Sequence, residues 1–195
     1  MKIHNHFPIA ILEHQVDVEL ADKVEQQLLE HIEALPYRDS FVGNVATDFF
    51  SDARIDIFTM FPDLIDEFVS ARNAYQEVTT FQSSDKLTFW TQDYRDETGV
   101  HMKHQHGVNG ISGVYWIRAN EQAGALTFHN PNTVLDYVSA DEIDNPYRSM
   151  HSHYQPVKGK LLLFPSYLQH EVQPSQEGVV RTTIAFNFLH EERLK

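Results

Sequence analysis

The residues best placed to do chemistry lie in one stretch, His101-Met-Lys-His104-Gln-His106-Gly-Val-Asn-Gly-Ile-Ser-Gly-Val-Tyr-Trp116. Three histidines fall there just ahead of an apolar, strand-like run. In an extended strand, residues i and i+2 point to the same face, so His104 and His106 can reach a single metal ion. Imidazole is a borderline ligand that suits iron, zinc, copper and nickel. A surface histidine cluster with no ion is the plain alternative. His170 stands just past the buried-looking strand that ends in Phe164-Pro-Ser166. A lone loop histidine is more often structural. This one gains weight because His104 and His106 need a third partner.

A second chemical signal is Arg181-Thr-Thr183-Ile-Ala-Phe-Asn187-Phe188. In an alternating strand Arg181, Thr183, Ala185 and Asn187 share one face. Thr182, Ile184, Phe186 and Phe188 share the other, which is suited to packing on helices. An arginine turned inward is costly unless an anion pairs with it. Its fork matches a carboxylate, and a hydroxyl two residues on adds a further bond, so a bound acid accounts for the pattern. An Arg181 at the strand's end, paired with one of the chain's many acids or exposed, is the alternative.

These residues need a frame. Phe7 to Leu12 reads as a short edge strand that opens with a proline. His4 and His6 make a second His-x-His, at a terminus where order is poor. From Asp17 the apolar residues Leu20, Val24, Leu28, Ile32 and Leu35 follow helical spacing, with Asp17 as N-cap and Pro36 as the stop. Residues 38–52 look like a loop. A second helix runs from Pro62 to about Gln76, with Leu64, Phe68, Ala71 and Tyr75 on one face. Beyond Asp85 the pattern turns to strands at Lys86–Tyr94, Ile111–Arg118, Ala125–Phe128, Gly159–Phe164 and Val179–Phe188. Residues 129–153 form a long polar loop of the kind that covers a site. Helices followed by short strands predict a mainly β fold, a jelly roll (double-stranded β-helix, cupin-like) supported by N-terminal helices.

The 195 residues suggest one domain, 1–195, with the strand and helices in 1–85 and the jelly-roll core in 86–190. Twenty-eight acids against 15 bases give a net charge of −13, and there is no basic run, which argues against a nucleic-acid partner. No apolar run approaches the roughly 18 residues of a membrane span. The N-terminus lacks the features of a signal peptide, and the chain has no cysteine, so a cytoplasmic location is expected. The N-terminal strand and helices leave a homodimer open.

His104-x-His106, Ser112-Gly-Val-Tyr-Trp116, Phe164-Pro-Ser-Tyr-Leu-Gln-His170, and Arg181-Thr-Thr183 with Phe186-Asn187 occur in this order. Together they resemble the 2-oxoglutarate- and Fe(II)-dependent oxygenase superfamily over about residues 86–188. The likeness is greatest to its group with an SGVYY-like strand and an FPSxLxH segment. Each motif alone is weak; the ordered set is specific. The resemblance implies that His104 and His170 bind iron and that Arg181, with Thr183, holds the far carboxylate of 2-oxoglutarate. Tyr94 and Tyr115 are candidates for the co-substrate pocket, although core packing suits either. His101 and Asn187 are placed beside the site, supporting it without ligating.

One departure concerns the third ligand. The superfamily usually has an acid two residues after the first histidine, where this chain has His106. His106 has the right face and spacing; Asp93, Asp96, Glu97 or Asp144 are the other candidates. The expected activity is hydroxylation of an unnamed substrate with Fe(II) and 2-oxoglutarate. The alternatives are a three-histidine cupin-like dioxygenase that takes no 2-oxoglutarate, and a non-catalytic jelly-roll binding module.

Overall fold

The computed structural model describes residues 1–2, 7–35, 37–40, 43–51, 54–107, 110–132, 147 and 149–189, with the backbone alone for 37–40 and 43. In chain order the elements are β1 (Leu12–Gln15), α1 (Val18–Glu33), β2 (Tyr37–Ser40), β3 (Gly43–Thr47), α2 (Ile57–Met60), α3 (Pro62–Thr79) and β4 (Leu87–Tyr94). Then follow β5 (His101–His104), β6 (Gly110–Arg118), β7 (Leu126–His129), β8 (His151–Tyr154), β9 (Lys160–Pro165), β10 (His170–Val172) and β11 (Arg181–Leu189).

Helix α1 starts where its cap requires: the Asp17 carboxylate accepts the Glu19 N–H at 2.9 Å. It buries Ala21, Val24, Leu28 and Ile32, one stripe at helical spacing. Helix α3 opens with Pro62 and buries Leu64, Phe68, Ala71 and Tyr75. Both stripes pack on one face of a seven-stranded antiparallel sheet of order β1-β9-β6-β11-β4-β3-β2. The face beneath them carries Ile111, Tyr115, Ile117, Leu161, Leu163, Ile184, Phe186 and Phe188. Phe68 lies flat on Phe186, with ring centroids 4.3 Å apart. Each such buried side chain stabilises the fold by roughly 1.5–3 kcal/mol.

A four-stranded sheet of order β5-β10-β7-β8 accompanies the first. A second apolar cluster, Trp116, Leu126, Phe128, Leu162, Phe164 and Leu168, draws on both sheets. No ladder between described strands joins the two, so they form a jelly-roll pair that does not close into a barrel. Strand β11 lies at the middle of the large sheet, paired with β4 and β6. Its two faces divide as the alternation predicts, with Ile184, Phe186 and Phe188 in the helix-side core.

The helix-side layer carries a buried polar knot. Asp93, 1 % exposed, accepts the Thr182 hydroxyl at 2.7 Å, Arg95 Nε at 2.9 Å and Arg118 at 3.3 Å. Arg95 also donates to the carbonyls of Ile32, Glu33 and Leu35, at and just past the end of α1.

Several expectations are corrected. The first strand is Leu12–Gln15, later than Phe7–Leu12; Phe7 has a φ of 57°, outside any strand geometry. Residues 38–52 are not simply loop: β2 and β3 form a hairpin that extends the large sheet. The expected loop 129–153 is corrected at its ends, since His129 belongs to β7 and His151–Tyr154 pairs with it; residues 133–146 and 148 lie outside the described residues. His4, His6, Pro36, Asp144 and residues 191–195 lie outside the described residues.

Candidate metal centre

His104 ends β5 and His170 begins β10, and the two are direct partners across that ladder. His170 is therefore on a strand, and not in a loop. His106 stands beyond the end of β5, and its N–H donates to the Ser166 carbonyl at 2.9 Å. That carbonyl belongs to the turn leading to His170, so one backbone bond ties the two ligand-bearing segments together. Behind it the Ser112 hydroxyl donates to Asn187 Oδ1 at 2.7 Å and meets the Ser166 hydroxyl at 2.8 Å. Asn187 thus supports the turn from behind, at one remove from the imidazoles.

One ligand nitrogen each from His104, His106 and His170 lies within 4.8 Å of the others, close enough to hold one ion. Among the described residues no carboxylate joins them. Asp93 is engaged in the helix-side knot, Asp96 bonds to Thr98 and Asn44, and Glu97 is exposed.

The protonation chemistry suits a metal. Nδ1 of His104 is 2.7 Å from the Met102 carbonyl, and Nδ1 of His170 is 2.8 Å from that of Leu168. A carbonyl only accepts, so each Nδ1 carries the proton and each Nε2 keeps its lone pair. Burial pushes His106 down to about 4 and His170 down to about 2, with the other imidazoles adding to the shift. Burial lowers His104 as well, and its bond to the Met102 carbonyl opposes the shift. His101 stacks on His104 with ring centroids 3.8 Å apart and is pushed by burial to about 3. It lines the same cavity without joining the ligand group.

The arginine is also inside. Arg181 is 1 % exposed, and one terminal nitrogen donates to the carbonyls of Gly124 and Gln173. Its guanidinium carbon sits 4.2 Å from the centroid of the Tyr94 ring. Nε and the other terminal nitrogen have no hydrogen-bond partner among the described residues. A buried charged donor left unpaired costs more than the roughly 1–3 kcal/mol of a neutral group. An acid in the adjoining cavity would remove that cost. That cavity is lined by Tyr94, Trp116, Arg181 and Thr183 among others, and it shares Gln92, Val114, Leu126 and Val172 with the cavity beside the histidines.

Residues 88–187 match the model of the family described as "Putative 2OG-Fe(II) oxygenase". The chain belongs to this family. The oxygenase is a non-haem iron enzyme of the class that uses Fe(II) and 2-oxoglutarate. No curated protein matches its sequence. Its fold is similar to that of a Pseudomonas putida prolyl-4-hydroxylase, at 14% identity, 94% coverage of both chains and a TM-score of 0.64. A Trichoplax adhaerens prolyl hydroxylase, solved with a hypoxia inducible factor peptide fragment, is similar at 15% identity, covering 94% of this chain and 84% of that one, with a TM-score of 0.62. The alpha-ketoglutarate-dependent epimerase SnoN of nogalamycin biosynthesis is similar at 12% identity, covering 92% and 78%, with a TM-score of 0.60.

The oxygenase's own residues fit the groups its class requires: an imidazole trio, with Nε2 of His104 and His170 left unprotonated, and a buried guanidinium with two nitrogens unpartnered among the described residues for an acid. Tyr94 and Thr183 line the guanidinium's cavity. Tyr115 does not; it is fully buried under α3, 5.8 Å from Phe68 between ring centroids. Sequence reasoning missed Gln92, which lines both cavities and accepts the Tyr94 hydroxyl at 3.3 Å. Its place two residues before Tyr94, on the same face, was the available signal.

Proposed function

We propose that this oxygenase hydroxylates a C–H bond of its substrate, with His104, His106 and His170 as the iron ligands and Arg181 as the anchor of 2-oxoglutarate. The observation that carries the reading is the shared wall between the two cavities. A short dicarboxylate spanning it would put one end on the two unpaired nitrogens of Arg181 and the other beside the imidazoles. When bound, the iron supplies oxygen activation coupled to decarboxylation of 2-oxoglutarate to succinate and carbon dioxide.

The chain's own residues do the remaining work. Arg181 presents charge-assisted donors, and Tyr94 holds its guanidinium flat. Thr183, two residues on along the same face, can donate a further bond to the far carboxylate. Gln92 receives the Tyr94 hydroxyl on its oxygen, which leaves its amide N–H₂ to donate into the shared space. Trp116, Leu126, Phe164 and Val172 line these cavities and make them apolar and poor in water. With three neutral ligands the centre stays one charge more positive than with a carboxylate, which favours a dianionic acid.

The test is anaerobic calorimetry with Mn(II) and then 2-oxoglutarate, followed by aerobic oxygen uptake. Binding of the acid only after the metal, with uptake that requires it, is the expected result. Oxygen uptake indifferent to 2-oxoglutarate would make the protein a three-histidine dioxygenase of another kind.

A further inference from the structure

We infer that His101 is a positioning residue of the metal centre: a bulge in β5 lays its ring flat on His104, where it holds that ligand in place and offsets the positive charge that a bound cation leaves on it. The inference rests on the proposed function, which makes His104 a ligand. His170 pairs with His104, and Val172 pairs with His101. The step from 170 to 172 along β10 therefore meets the longer step from 101 to 104 along β5, so β5 carries one residue more than its partner. In a regular strand, residues three apart point to opposite faces. The bulge undoes that alternation. Both imidazoles line one cavity, stacked with centroids 3.8 Å apart and planes 18° apart.

The side chains inside the bulge do not account for it. Met102 is 59 % exposed, and Lys103 is exposed as well. What the bulge delivers points inward. Nδ1 of His104 donates to the Met102 carbonyl at 2.7 Å, and His101 covers the face of the same ring. One ligand is thus held at its edge and on its face by residues of its own strand, and bulges beside active sites re-aim side chains in this way. The chemistry gives the covered face a use. His104, His106 and His170 bring no negative charge, and among the described residues no carboxylate joins them. A cation at Nε2 of His104 draws electron density from that ring. A π face stacked on an electron-poor ring is attracted to it, whereas an aliphatic side chain would fill the same space without that attraction.

The probe is Co(II), titrated anaerobically into metal-free protein while its d–d absorption is followed, with no 2-oxoglutarate present. His101→Phe keeps a ring at the position, and His101→Leu keeps bulk alone. The position is half-buried on an edge strand, so both variants should keep the wild-type circular dichroism. His101→Leu should bind Co(II) about fivefold more weakly, the value of one ring pair, and its absorption bands should shift as the ligand loosens. His101→Phe should restore both the affinity and the bands of the wild type. A His101→Leu variant that matches the wild type in affinity and bands would show that filling the space is enough, and overturns the inference. So does a folded His101→Phe variant that binds as weakly as His101→Leu. Either result leaves the metal centre standing, whereas wild-type protein that takes up no Co(II) would remove the centre and the inference together.

Discussion

At the scale of single residues, Arg181 and the imidazoles make separable predictions. Arg181→Ala removes the charged donors for the acid but no metal ligand. The affinity for 2-oxoglutarate should fall about a hundredfold, the worth of a charge-assisted pair, while Mn(II) affinity in calorimetry stays unchanged. A loss of Mn(II) binding in that variant would mean the two cavities are not independent. Gln92→Leu should weaken the acid less, by about tenfold for one neutral hydrogen bond. The histidines give a pH prediction. His101, His106 and His170 titrate at about 3, 4 and 2 in the fold, against an ordinary value of 6.5. Above pH 6.5 both folded and unfolded chains leave them neutral, and their contribution to stability is complete. As pH falls below 6.5 the unfolded chain takes up protons that the fold refuses, so stability drops until the folded values are reached. Urea midpoints of metal-free protein should decline from about pH 6.5 toward pH 4, more steeply than in a His106→Ala variant.

At the scale of elements, β11 performs two tasks at once. Its Arg181–Thr183 face lines the cavity, and its Ile184–Phe188 face holds the helices. That division was legible because a strand's period is two and the residue types were unambiguous. The stripes of α1 and α3 were legible for the same reason at period 3.6. The β2–β3 hairpin was not, since its strands are short and lack alternation, and their pairing is a long-range fact. Strand β10 has only three residues, so His170 read as a loop residue although it is a ladder partner of His104. His106 was assigned to the metal on strand geometry it does not have; the Ser166 carbonyl turns it toward the others. Tyr115 was ambiguous because an alternating strand leaves open which face meets helices. The Asp93 knot offers an element-scale test. Asp93→Ala strands two partly buried arginines and frees the end of α1, a loss of about 3 kcal/mol in urea unfolding. Mn(II) affinity should not move, because the aspartate faces away from the cavity. Gly124 gives a second test. A Cβ there would run into the Gln173 and Pro174 backbone, and the Gly124 carbonyl holds Arg181. Gly124→Ala should weaken 2-oxoglutarate more than it weakens metal.

For the molecule as a whole, the proposed metal ligands come from β5, the segment just past it, and β10, on the small sheet. Mn(II) plus 2-oxoglutarate, each at about 100 times its dissociation constant, should stabilise the chain by about 2.7 kcal/mol per ligand. In a chain of this size that is a rise in melting temperature of roughly 5–10 °C for each. A His170→Ala variant should show neither rise, and an unaltered shift in it would remove His170 from the centre. Among the described residues no helix is long and apolar enough to cross a membrane. The formal net charge of the sequence is −13.

The carbonyls of Met102 and Leu168 each grip the histidine two positions later in its own chain segment. The choice of tautomer is therefore made by local backbone, as each segment is laid down, before any ion arrives. Such a centre is a finished socket, unlike a zinc finger, which condenses around its metal. A chain starved of iron should keep its circular dichroism, wait in the shape it will work in, and regain full activity on reloading without passing through an unfolded state.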